Sequence, residues 1–169
     1  MEKVRAHRLR YRNQRKRSRI PLISLVGYTN AGKSTLLNRL TRSDVYVADK
    51  LFATLDPTTR RIALPGGHDA LLTDTVGFIQ KLPPQLIAAF QATLVEISEA
   101  DLLLHVVDIT HINALEQTRA VEQPLAEINA SHIPSIIVLN KIDSLPEDNA
   151  LQEISDDFPK AVAVSALKG

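Results

Sequence analysis

The 169-residue chain contains no cysteine, which excludes disulfides and thiolate-held metals and fits a reducing, cytosolic setting. It also lacks any apolar run near the roughly 20 residues that a membrane-spanning helix needs. No signal-peptide hydrophobic stretch follows the basic N-terminus. Acidic residues are scarce at one end. Residues 1–19 hold Glu2 alone against nine Lys/Arg (Lys3, Arg5, Arg8, Arg10, Arg12, Arg15, Lys16, Arg17 and Arg19), whereas the remainder holds eleven Lys/Arg against eighteen Asp/Glu. The net charge of +1 therefore conceals a basic arm joined to a mildly acidic domain. A hydrophobic content of 44% argues against wholesale disorder, and the length suits one α/β domain with a core of its own. These properties lead us to expect an untargeted, cytoplasmic monomer.

In the arm, Arg5, Arg8, Arg12, Arg15 and Arg19 recur at helical steps, but Val4, Leu9 and Tyr11 supply no matching apolar face. Two readings stay open. One is a solvated linker or the end of a longer helix; the other is a segment that orders on nucleic-acid phosphates.

The stretch Gly27-Tyr28-Thr29-Asn30-Ala31-Gly32-Lys33-Ser34 reads G-x-x-x-x-G-K-S. An apolar run over Ile20 to Val26 precedes it, and Thr35 to Leu40 follows with helical spacing. Strand, glycine loop and helix form the context in which this pattern binds a nucleoside triphosphate. Glycines let backbone N–H groups point at a phosphate chain, and the helix N-terminus adds a positive end. Lys33 can reach the β- and γ-phosphates, and the Ser34 hydroxyl can ligate Mg²⁺.

Ser43 to Leu51 shows no clean period and reads as a loop. Phe52-Ala53-Thr54-Leu55-Asp56-Pro57-Thr58-Thr59 follows it. A P-loop enzyme needs a mobile element that meets the γ-phosphate and metal, and spacing does not choose among Thr54, Thr58 and Thr59. Arg60–Leu64 and Asp69–Thr73 read as strands of a hairpin turned at Pro65-Gly66-Gly67-His68, with His68 solvated. Asp74-Thr75-Val76-Gly77 then supplies D-x-x-G: a carboxylate at a strand end that can support Mg²⁺ through water, and a glycine whose N–H can approach the γ-phosphate. Phe78 occupies the place where Ras-like GTPases carry a water-orienting Gln, and a phenyl ring cannot orient water by hydrogen bonding. Turnover is therefore expected to be slow without a partner.

Residues 83–100 read as an amphipathic helix, through Leu86, Ile87, Phe90, Leu94 and Ile97. Leu102–Asp108 reads as a central strand holding a packed, satisfied His105. Residues 113–129 read as a helix kinked or broken at Pro124. Ser135–Leu139 is a further strand, ending at Asn140-Lys141-Ile142-Asp143. The Asp143 carboxylate can accept from guanine N1–H and the 2-amino group, whereas adenine would leave it unpaired. Asn140 and the Lys141 stem would brace the loop and cover the base. Ala161–Val164 reads as the last strand, and Ser165-Ala166-Leu167 lies where a backbone N–H can meet guanine O6.

These strings resemble a translation-factor-class GTPase domain, and specifically the HflX family, over residues 20–169. The grounds are the wording Leu25 to Thr35, Leu51 to Thr58, Asp74 to Ile79 and Asn140 to Asp143. The resemblance implies a three-layer α/β P-loop fold, with a mainly parallel sheet and one antiparallel edge strand. It also implies GTP hydrolysis to GDP and phosphate, with Lys33, Thr54 and Gly77 at the γ-phosphate and Ser34, Thr54 and Asp74 around Mg²⁺. Nucleotide contacts would come from residues 27–35, from Phe52, Ala53, Thr54, Leu55 and Asp56, from residues 74–77, from residues 140–143 and from Ser165, Ala166 and Leu167. Asn30 matches an asparagine that helps hold K⁺ in potassium-dependent GTPases. Family members associate with the large ribosomal subunit and its RNA and are implicated in ribosome rescue or splitting. By the same likeness, the arm is the end of a preceding helical segment, and the domain stops before a closing helix. Two alternatives stand beside this reading: a nucleotide-gated module with negligible hydrolysis alone, and an RNA-binding protein acting through the arm.

Overall fold

The computed structural model describes residues 20–42, 58–78, 94, 97–145 and 157–169. The basic arm, the Phe52–Asp56 string with Thr54, and most of the helix expected over residues 83–100 lie outside the described residues.

Six strands form one sheet in the order β2-β3-β1-β4-β5-β6. β1 (Leu22–Val26) pairs in parallel with β3 (His68–Asp74) and with β4 (Leu102–Asp108). β5 (Ser135–Asn140) and β6 (Val162–Ala163) extend the parallel run. β2 (Thr58–Leu64) pairs antiparallel with β3 across the glycine turn and forms one edge. All five β1 residues are buried, because both faces of this strand are covered.

Alternation along the strands sorts the core into two faces. Ile23, Leu25, Leu72, Val106 and Val138 pack with Leu36 and Leu37 of helix α1 (Lys33–Thr41). Val26 and Leu103 pack with Phe78, Ile97, and Val121 and Leu125 of helix α2 (Ala114–Glu127). The two helices thus lie on opposite faces, the expected three-layer arrangement. Among the described residues, no helix is long and apolar enough to cross a membrane.

Several element boundaries correct the sequence reading. The hairpin strands begin at Thr58 and His68, earlier than expected, because β2 and β3 stay in register from Leu64↔His68 to Thr58↔Asp74. β5 gains Asn140, which pairs with Asp108. β6 shrinks to two residues, and Val164 N–H donates instead to Leu139 O at 2.8 Å. Pro124 neither breaks α2 nor ends it, since the helix continues to Glu127. The missing N–H of Pro124 forfeits one bond to the carbonyl four residues back, and the helix tolerates that loss within its last turn.

Candidate nucleotide site

The functional strings meet at the C-terminal ends of β1, β3, β4 and β5, where an open α/β sheet places its ligand contacts. Gly32 caps α1 with φ +92° and no side-chain cap hydrogen bond. That backbone is the left-handed conformation which L side chains avoid. A Cβ there would also lie 2.3 Å from Asn140 Nδ2. The result is a bare helix N-terminus facing the loop, the arrangement that attracts phosphate oxygens. Asn30 is also left-handed, with φ 62°, a conformation asparagine tolerates better than most residues.

Lys33 is buried at the foot of α1. Its Nζ donates to Gly27 O at 3.2 Å and to Tyr28 O at 2.9 Å, so the loop wraps its own lysine. Burial pulls the ammonium pKa down to about 8, opposed by the nearby Asp74 charge. Ser34 Oγ donates to Asp74 Oδ2 at 2.5 Å, joining the start of α1 to the end of β3. The Thr75 hydroxyl donates to Leu25 O at 2.5 Å and fixes the turn that follows.

Gly77 comes close to the phosphate loop. A Cβ on it would lie 2.6 Å from Thr29 Cα and 3.0 Å from Lys33 Nζ. Phe78 N–H donates to Gly27 O at 3.0 Å, and Thr29 N–H donates to Phe78 O at 2.9 Å, so Tyr28 and Phe78 form a short parallel bridge. The Phe78 ring is 1% exposed and sits in the core beneath α2. It anchors the D-x-x-G turn.

His105 is buried as expected, but it is not satisfied: its Nε2 and the Ser24 Oγ have no partner among the described residues. Burial, reinforced by the Lys33 charge, lowers its pKa to about 4 from 6.5. As pH falls below 6.5, the unfolded chain gains a proton that the folded chain refuses, so this residue erodes stability from 6.5 down to about 4.

The end of the site around the N-K-x-D loop is built from side chains. Asn140, 2% exposed, donates from Nδ2 to Ala31 O at 2.9 Å, and its Oδ1 accepts from Ala166 N–H at 3.0 Å. One amide therefore ties the phosphate loop to the Ser165-Ala166-Leu167 segment. Of the three backbone N–H groups in that segment, the one on Ala166 is engaged by Asn140. Asp143 sits in the 3₁₀ turn Ile142–Ser144. A hydrogen bond from Ser165 is the first cause holding its carboxyl below the usual range. Sequence reasoning missed two contacts: Lys141 Nζ bonds Asp108 Oδ2 at 2.7 Å, and Arg39 of α1 donates to Lys168 O at 2.5 Å. The acid ending the apolar β4 run was the signal available for the first; nothing in the sequence marks the second.

Residues 22–141 match a family model described as 50S ribosome-binding GTPase. The chain is 54% identical over 145 residues to the GTPase HflX of Caldanaerobacter subterraneus subsp. tengcongensis, covering 86% of this chain and 34% of that protein. Against the GTPase HflX of Escherichia coli strain K12 it is 48% identical over 170 residues, covering 100% of this chain and 40% of that protein. The chain thus spans little more than a third of the curated relatives it matches. A solved structure of Era with MgGDPNP and nucleotides 1506-1542 of 16S ribosomal RNA superposes with a TM-score of 0.71 at 28% identity, over 89% of this chain and 52% of that one. The phosphate loop, the D-x-x-G turn and the N-K-x-D loop at one sheet end, with the family match over most of the same residues, make this chain a member of the 50S ribosome-binding GTPase family.

Proposed function

We propose that the chain is the GTPase domain of an HflX-like factor, binding guanine nucleotide and hydrolysing GTP to GDP and phosphate. The observation that carries this reading is Asn140, which joins the phosphate loop at Ala31 to the base-side segment at Ala166. A nucleotide spanning both loops would meet a single braced surface. Lys33 and the Gly77 N–H would hold the γ-phosphate, Asp143 would accept from the guanine edge, and Thr54 would join from its own loop.

Mg²⁺ fits this donor set. A hydroxyl and a carboxylate, both hard oxygen ligands, meet at Ser34 and Asp74. No group of three or more metal-binding side chains occurs among the described residues, in keeping with an ion whose remaining ligands are phosphate and water. When bound, the ion would neutralise charge on the transferring phosphoryl group. Asn30 makes K⁺ a further candidate near the phosphates, where a cation would supply charge that an arginine finger otherwise brings.

Phe78 leaves the attacking water without a hydrogen-bonding side chain at that position, so hydrolysis should be slow alone and rise with a partner. The proposed partner is the large ribosomal subunit with its RNA, in a cytoplasmic setting. The test is binding of GTP, GDP and ATP in Mg²⁺, followed by multiple-turnover phosphate release with and without large subunits. Guanine-selective binding and subunit-stimulated release are expected. Equal binding of ATP and GTP would sink the base-loop reading, and unstimulated release would sink the ribosomal one.

A further inference from the structure

Asp108 ends β4 opposite Asn140, and both of its carboxylate oxygens are engaged. Oδ1 accepts from Thr110 N–H at 3.1 Å and from the Thr110 hydroxyl at 2.6 Å. Oδ2 accepts from Lys141 Nζ at 2.7 Å. Ile109 N–H donates to Asn140 O at 3.2 Å, so the β4 turn is stitched to the start of the N-K-x-D loop. The pair is largely sheltered, with side-chain exposures of 31% for Lys141 and 14% for Asp108. Lys141 itself has a left-handed backbone, with φ 70°, which only context can impose on a lysine.

We infer that Asp108 is a positioning residue of the base pocket: it tethers the Lys141 ammonium so that the lysine stem stands as a fixed apolar wall for the purine ring. The inference rests on the reading that the N-K-x-D loop takes guanine. A free lysine would lose rotamer freedom each time a base docked against it, whereas a tethered one has lost that freedom already. The carboxylate also cancels the ammonium charge, so a base meets hydrocarbon and not a hydrated cation. Asp108 touches no nucleotide on this account and acts through Lys141.

The test is release of a fluorescent GDP from the purified chain, with thermal unfolding measured beside it. Asp108→Asn keeps an oxygen for the Thr110 bonds but loses the charge that holds Lys141. It should speed GDP release about fivefold, the upper range for a partly exposed ion pair. The KM for GTP should rise by a similar factor while kcat at saturation is unchanged, since the wall acts equally on ground and transition states. Asp108→Glu, which keeps the charge, should restore release toward the parent rate. Lys141→Ala alone should speed release at least as much, and adding Asp108→Asn to it should change nothing further. Parent-like release from Asp108→Asn while Lys141→Ala is impaired would overturn the proposal and leave the base-loop reading standing. Multiplying effects in the double variant, or an effect of Asp108→Ala that Asp108→Asn does not share, would overturn it as well. An unaffected Lys141→Ala would remove the base-loop reading and the proposal together.

Discussion

The two ends of the nucleotide site are made of different material. At the phosphate end most contacts use the backbone: the carbonyls of Gly27 and Tyr28 hold Lys33, and the N–H groups of Thr29 and Phe78 bridge two loops, with the Ser34–Asp74 side-chain bond beside them. At the base end they are side chain: Asn140 braces two loops, Asp108 holds Lys141, and Ser165 supports Asp143. Backbone contacts depend on room and dihedral angles, so they fail sterically. Side-chain contacts depend on donor and acceptor identity, so they fail selectively. Changes at the phosphate end should therefore weaken every nucleotide alike, while changes at the base end should alter which nucleotide is preferred.

The largest effect should come from Gly32→Ala. It places a Cβ at φ +92° against Asn140 Nδ2 and should weaken GTP, GDP and xanthine nucleotides alike by about a hundredfold or more, as strain and clash combine. A loss confined to guanine would break the distinction between the two ends. Next in size is Phe78→Gln. Its ring fills the α2-side core, so burying an amide there should lower unfolding stability by about 3 kcal/mol, with no gain in hydrolysis; a faster, equally stable variant would contradict the anchoring role. Asp143→Asn should lower guanine affinity about a hundredfold and shift preference toward xanthine nucleotides, and competition titrations would show whether the base end is selective.

The smallest effect is one of pH. The buried Lys33 has its pKa lowered to about 8, and phosphate favours its charged form. GDP affinity should be level below that value and fall about fivefold between pH 8 and 9, as the free protein loses the proton that binding requires. Affinity that rises over this interval would place the lysine away from the phosphates.

The same division of material explains what could be read in advance. Glycines at fixed spacing announce backbone geometry, so the phosphate loop and the D-x-x-G turn were legible from residues 27–34 and 74–77; the strand order was not. Apolar runs gave β1, β4 and β5, and for β1 the cause is burial of every residue on both faces. For the Asp108–Lys141 tether the acid ending β4 was the only hint in the sequence, and it named no partner, since those residues lie 33 apart and meet only once β4 and β5 pair. The partner of the Ala166 N–H was hidden for the same reason, and so was the want of one for His105 Nε2. Boundaries slipped where pairing, and not composition, decides the last residue, as at Thr58 and at the shortened β6.

Asn140 also has a consequence for motion. Its amide closes one bond onto Ala31 O and another onto Ala166 N–H, although those residues are far apart in the chain. Opening either loop by itself would break a hydrogen bond that is buried in the closed structure. Local unfolding should therefore treat the two as a single cooperative unit. In hydrogen exchange, the Ala166 amide should lose its protection in the same opening event that frees the phosphate loop.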